Sequence, residues 1–236
     1  MAAYSAPLRD MQFLLQNVFQ AEKVFNAMPD TAEVSDDLCF AILTEAGKIA
    51  EQLLAPINRS GDQEACRLEN GKVVTPEGFK EAYAAYVEGG WPSLTGDKYY
   101  GGQGMPKVLS AMIEEMFFGA NSSFCLYTIL TTGATLTLSE HANEELKKTY
   151  LPKMLSGIWS GTMCLTEPHA GTDLGIIHSK AYPNTEGSYN INGTKIFITA
   201  GDHDLTENII HLVLAKIPGA PSGTKGISLF LVPKFN

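Results

Sequence analysis

The sequence predicts an α+β protein, with an N-terminal helical bundle followed by a small antiparallel β-domain. Apolar residues recur at three- and four-residue spacing as far as Met154, and from about Trp159 this gives way to short β-rich runs broken by Gly, Asn, Pro and Asp. The change occurs once, so helices and strands are segregated rather than alternating. The expected division is an extension helix within 1–33, a helical domain over 34–158 and a β-domain over 159–236.

The first helix follows the stripe Leu8, Met11, Leu14, Leu15 and Val18, and Pro29-Asp30 closes its region. Ser35, with Asp36 and Asp37 behind it, is an N-cap for a long helix through Leu38, Ile42, Ala46, Ile49, Leu53 and Leu54 that stops at Pro56. A polar turn region is expected over 58–75. Pro76 then opens a helix through Phe79, Tyr83 and Val87, closed by Gly89-Gly90. A helix from Pro106 carries Val108, Leu109, Met112, Met116 and Phe117; another, over 123–141, is apolar nearly all round and is read as central. Residues 144–154 add an amphipathic helix. In the β-domain, Asn192-Gly193 between two β-rich runs predicts a type I′ hairpin joining 188–191 to 194–199, and 209–216 and 225–232 read as two more strands. The last strand has few partners within the chain, which predicts a β-domain cut short, without a helical domain after it.

Composition narrows the chemistry. The 236 residues are 44% hydrophobic and 18% charged, enough to build a core without disulfides or metals. Cys39, Cys66, Cys125 and Cys164 have no ligand spacing and read as free, mostly buried thiols. A formal charge of −9 disfavours nucleic acid, and no apolar run is long enough to span a bilayer. With neither a transit-peptide nor a secretory pattern at the start, cytoplasmic placement is expected. The five histidines share no metal spacing, so no metal site is expected, and the P-loop, nucleophile-elbow and zinc-protease motifs are absent. Gly101-Gly-Gln-Gly reads as a loop before a helix.

Two segments concentrate polar chemistry. Met163-Cys-Leu-Thr-Glu-Pro-His-Ala-Gly-Thr-Asp173 leaves a strand and turns at Pro168 and Gly171, with Thr166 and Thr172 on either side; it is either a self-satisfied turn or a holder for the polar edge of a flat heterocycle. Lys195-Ile-Phe-Ile-Thr-Ala-Gly201 puts Phe197 and Thr199 on one face of a strand, either as core or as a stacking plane beside a hydroxyl.

Thr166-Glu-Pro-His-Ala-Gly-Thr-Asp173, Ile191-Asn-Gly-Thr-Lys-Ile-Phe-Ile-Thr-Ala-Gly201 and Gly226-Ile-Ser-Leu-Phe-Leu-Val-Pro233 together resemble the acyl-CoA dehydrogenase family, in order and at family-like distances. Tyr100-Gly-Gly-Gln-Gly-Met-Pro106 and Lys148-Thr-Tyr-Leu-Pro-Lys-Met154 match as well, and the opening Ala6–Leu15 resembles the extra N-terminal helix of a bacterial branch of long- or medium-chain enzymes, which includes enzymes acting on methylthio-acyl-CoA. The resemblance implies flavin adenine dinucleotide (FAD) as cofactor, bound by Met163, Leu165, Thr166, Gly171, Thr172, Phe197, Ile198 and Thr199. Thr199 is then beside flavin N5, and Phe197 stands where relatives carry Trp, keeping a plane but losing an N–H donor. His169 replaces a frequent glycine. Thr172 is implied to lie near the acyl thioester as well, and the helix over 123–141 either lines the acyl pocket on the substrate side, with Tyr127, Leu130, Thr131 and Ala134 as wall residues, or packs as interhelix core.

The implied reaction belongs to fatty-acid β-oxidation: an α-proton goes to a carboxylate base and a β-hydride to FAD, giving the trans-2-enoyl-CoA. In the family that base is a glutamate of a C-terminal helical domain, so no catalytic residue is assigned within this chain, Glu167 is set aside as a turn residue, and these residues alone are expected to be inactive. Electron-transfer flavoprotein as acceptor and a homodimer or tetramer are further implications. The alternatives are a non-catalytic fragment that binds acyl-CoA or a partner, and an acyl-CoA oxidase that uses oxygen.

Overall fold

A computed structural model gives the structure of residues 4–235. The N-terminal region forms α1 (Leu8–Phe13), a wide π-helical turn (Leu14–Val18) and α2 (Ala21–Asn26). Met11 and Leu15 are buried as the stripe predicts, but Leu14 and Val18 face outward, because the wide turn takes them out of phase with α1.

Ser35 caps α3 (Asp36–Ile49), accepting a hydrogen bond from the Leu38 N–H at 3.2 Å. The helix does not stop at Pro56. It widens into a π turn (Ala50–Leu54) and continues as α4 (Ala55–Glu64). A proline lacks the N–H that would bond four residues back and its ring crowds that carbonyl, and the wider turn absorbs both defects. The expected polar turn region is therefore half helix and half hairpin: β1 (Arg67–Glu69) pairs antiparallel with β2 (Lys72–Val74) across Asn70-Gly71, both at positive φ (50° and 77°).

Next come α5 (Phe79–Glu88), α6 (Lys107–His141) and α7 (Glu144–Leu155). The two helices expected over 106–141 run on from one another, broken at Asn121, whose backbone is extended (φ −157°, ψ 90°). Asn121 is fully buried; its Oδ1 accepts the Phe124 N–H (3.0 Å) and its Nδ2 donates to the Leu54 carbonyl (3.2 Å). The main core lies between α3, α4, α5 and the first part of α6, with Phe79 and Phe124 in tilted contact at 5.9 Å.

The β-part holds β3 (Trp159–Cys164), β4 (Lys180–Pro183), β5 (Tyr189–Asn192), β6 (Asn208–Lys216) and β7 (Ile227–Pro233). The fold class is the expected one, helices and then a sheet, but the sheet is mixed rather than wholly antiparallel. β6 runs parallel to β3 and antiparallel to β7, and β4 pairs antiparallel with β5. The long excursion over 165–207 brings the chain back in its original direction, as parallel pairing requires. A second core of Ala134, Leu138, Leu151, Met154, Ile210 and Leu212 fuses α6 and α7 to this sheet. At Gly161 a Cβ would lie 2.5 Å from that of Ala134, so only glycine lets the helix sit this close to β3. No helix among the described residues is long and apolar enough to cross a membrane.

Asn192-Gly193 does not form a hairpin. Asn192 lacks the positive φ that a type I′ turn needs, and Gly193 is nearly extended (φ 159°). β5 instead returns against β4 through a turn at 184–188, where the Asn184 N–H donates to the Ser188 carbonyl at 2.8 Å. Gly193 is needed for another reason, since a Cβ there would collide with Ser179. Residues 194–199 are consequently not a strand, and the expected common face for Phe197 and Thr199 does not exist.

Candidate functional site

The site grows from the turn after β3. Glu167 and Ala170 exchange backbone hydrogen bonds, 3.0 Å each way, closing a tight loop over Pro168 and His169. Inside it the Glu167 side chain is buried, with 3% of the residue exposed. Its Oε2 accepts the His178 N–H (2.6 Å), and its Oε1 accepts the Ser179 N–H (3.1 Å) and the Lys195 ammonium (2.8 Å). Burial alone would raise this carboxyl, but Lys195 and the two amides outweigh it and hold Glu167 down at about 2.

Lys195 also donates to the Leu165 carbonyl (3.0 Å), and the Ile196 N–H donates to the Thr166 carbonyl (2.9 Å). The two segments singled out in the sequence are thus bonded side by side at 165–167 and 195–196. Beyond that seam the chain opens. Phe197 is 88% exposed and held at φ 56°, a left-handed backbone that costs a side-chain-bearing residue about 1–2 kcal/mol. Thr199 is exposed at the tip of a turn that the Gly201 N–H closes on the Ile198 carbonyl (2.9 Å).

The other expected residues divide. Met163 is half-buried against the second core, and Leu165 and Thr166 are half-exposed at the seam. Ile198 and Phe197 line a cleft of about 520 Å³ that Cys164, His211 and Val232, not Met163 or Leu165, continue. Gly171 and Thr172 are exposed on the far limb of the turn, where Asp173 accepts the Gly175 N–H at 3.0 Å. Tyr127 and Thr131 are engaged elsewhere. The Tyr127 hydroxyl meets the exposed Cys66 thiol at 3.2 Å, and Thr131 Oγ1 accepts the Gly161 N–H at 3.0 Å, which makes it a rivet between α6 and β3. The crevice within the helical part is lined by a different face of α6, through Thr128, Thr132, Thr135 and Ser139.

Four of the five histidines, His169, His178, His203 and His211, are engaged in contacts within the fold. His169 stacks on His178 with ring centres 3.8 Å apart. His203 is buried, which pushes it down to about 4, and its Nδ1 accepts the Leu205 N–H at 3.2 Å. Among the described residues no group of three or more His, Cys, Asp or Glu side chains is placed to hold a metal ion. All four cysteines are free, and Cys66 alone of them is exposed.

The residues that sequence reasoning missed are Glu167, set aside as part of a turn, and Lys195, read only as a flank of Phe197. A lone lysine heading an apolar run is the available signal, since such a charge is buried only when paired.

A helical body, a mixed sheet and two polar segments joined at their bases define an α+β protein with a cradle beside its first long strand, and this arrangement is matched among known proteins. Residues 40–158 match the N-terminal domain of acyl-CoA dehydrogenases and residues 162–236 their middle domain. The chain belongs to the acyl-CoA dehydrogenase family. It is 47% identical over 231 residues to a 3-methylmercaptopropionyl-CoA dehydrogenase of Ruegeria pomeroyi, covering 98% of this chain and 39% of that protein. It is 42% identical over 236 residues to a butyryl-CoA dehydrogenase of Syntrophomonas wolfei, with 98% and 38% covered. The fold matches an acyl-CoA dehydrogenase of Bacillus anthracis solved with FAD, at a TM-score of 0.69 and 26% identity over 86% of this chain and 32% of the other. The chain therefore spans under two-fifths of the length of the curated relatives it matches.

Proposed function

We propose that this chain forms the flavin-binding part of an acyl-CoA dehydrogenase that oxidises a short acyl-CoA, of the butyryl or methylmercaptopropionyl class, to the trans-2-enoyl-CoA. The observation that carries this reading is the bonded seam between Thr166 and Ile196, with Phe197 beyond it, largely exposed and held in a strained backbone. Strain of this kind persists where the surrounding structure enforces it, and it gathers at ligand sites. Phe197 gives a plane for a flat ring, Ile198 and Val232 give apolar walls of the same cleft, and Thr166, Thr172 and Thr199 give hydroxyls free to turn toward its heteroatoms.

FAD, when bound, supplies the acceptor for the β-hydride. The chain's own part is to bind and orient it. Of the carboxylates near the cradle, Glu167 is paired with Lys195, Asp202 is paired with Lys234, and Asp173 is turned back on the Gly175 N–H of its own turn. On this reading, as the family resemblance implies, the base is supplied by a further helical domain, and these 236 residues are inactive alone. The reading carries with it a cytoplasmic homo-oligomer, fatty-acid β-oxidation and electron-transfer flavoprotein as acceptor. Its boundaries are an extension over 1–33, a helical domain over 34–158 and a β-domain over 159–236.

The test is an FAD titration of the 236-residue chain, followed by an acyl-CoA panel on a version carrying the further domain of the relatives. Saturable flavin binding, with bleaching by one acyl length in the longer protein, is the expected result; no flavin binding by either sinks the reading.

A further inference from the structure

We infer that Lys195, paired with Glu167, is the positioning residue that sets the register between the two arms of the cradle; its expression in flavin binding rests on the reading above. Three consecutive residues of one arm are held by two consecutive residues of the other. Lys195 Nζ reaches the Leu165 carbonyl and the Glu167 carboxylate, and between them the Ile196 N–H takes the Thr166 carbonyl.

The backbone bond alone is a single isolated link, and a chain on one such link can swivel or slip. A slip of one residue along an extended segment turns every side chain to the opposite side. The ammonium prevents this because it spans the link, bonding on both sides of it. Any slip withdraws it from Glu167, and both charges are largely buried, with 11% and 2% of their side chains exposed. An unpaired charge at that depth is strongly disfavoured, so alternative registers are excluded more firmly than apolar contact would exclude them. The carboxylate is itself fixed from behind by the His178 and Ser179 amides, just before β4, and His169 Nε2 lies 3.7 Å from its Oε2. The anchor thus runs from the sheet through Glu167 and Lys195 to Ile196, one residue before Phe197. Lys195 lines the same cleft as Phe197 and Ile198, but its ammonium is engaged by the Leu165 carbonyl and Glu167, so it acts by placing them.

The test uses the full chain and the variants Lys195→Arg, Lys195→Met and the double variant Glu167→Leu with Lys195→Met, whose apolar pair avoids a buried lone charge. FAD affinity, the visible circular dichroism of bound flavin and the thermal midpoint are read together. The expected results are affinity within about threefold of wild type for Lys195→Arg, and a loss of about tenfold or more, with an altered dichroic band, for the double variant even where its midpoint equals that of wild type. A folded double variant with wild-type affinity and band overturns the inference. If the wild-type chain itself binds no FAD, the flavin reading fails separately, and exchange of the Ile196 amide decides the matter: about tenfold faster exchange in the folded double variant supports the register role, and unchanged exchange overturns it.

Discussion

The seam and the rim of the cradle are neighbours in sequence and opposites in structure. Residues 165–167 and 195–196 share two backbone or ammonium bonds and a buried ion pair, whereas Gly171–Asp173 and Phe197–Thr199 are left largely to solvent. One region uses its donors on the protein; the other keeps them for something else. Stability and ligand binding should therefore respond to different mutations.

The largest expected effect is at the seam. Glu167→Ala leaves Lys195 buried without a partner and should cost about 3–5 kcal/mol in urea unfolding. The acid limb of stability sharpens the same point. The Glu167 carboxyl is depressed in the folded state, so its contribution is complete above the ordinary carboxylate value of 4.5 and is lost as pH falls from there toward about 2. Urea midpoints at pH 6 and pH 3 should differ less in Glu167→Gln than in wild type. The rivet between helix and sheet comes next: Thr131→Val keeps the shape but strands the buried Gly161 N–H, for a loss of about 1–3 kcal/mol on the same assay.

At the rim the sign reverses. Phe197→Gly removes left-handed strain and almost no packing, so stability should rise by roughly 0.5–1 kcal/mol after allowing for the freedom of glycine in the unfolded chain. The same change should weaken FAD binding, and a variant that loses stability while keeping its affinity would dissolve the distinction between seam and rim. Smallest of all, Thr172→Ala should leave the thermal midpoint within the equivalent of about 0.5 kcal/mol while lowering flavin affinity.

The helical body was legible because its periodicity, the Ser35 cap and the Gly89-Gly90 stop are local signals that burial then reinforces. Where local rules failed, a longer-range contact had intervened. Pro56 is a helix stop in isolation, yet here a π turn lets the helix pass. Both Asn-Gly pairs carry the same turn signal. Asn70-Gly71 has open space around it and folds as the rule says, whereas Gly193 is pressed against Ser179 and serves as a close crossing. Of the site, the two segments were visible from their resemblance to a family, but not the manner of their joining. Nothing in the spacing of Glu167 and Lys195 announces a pair, because they stand 28 positions apart and the chain between them folds away. For Tyr127 and Thr131 the sequence left pocket wall and interhelix core open, because a helix has several faces and sequence does not say which one meets the sheet; Thr131 bonds the Gly161 N–H of β3.

The widened turn before Pro56 and the break in α6 are usually counted as two separate imperfections, yet the amide of Asn121 ends on the carbonyl of Leu54. This bond ties the two irregularities to one another and fixes the offset of the two helices. Sliding either by a turn, about 5.4 Å, would strand a polar group in a fully apolar wall. The body that carries the cradle is thereby indexed, and restoring an uninterrupted helix at 121 would break the bond that indexes it.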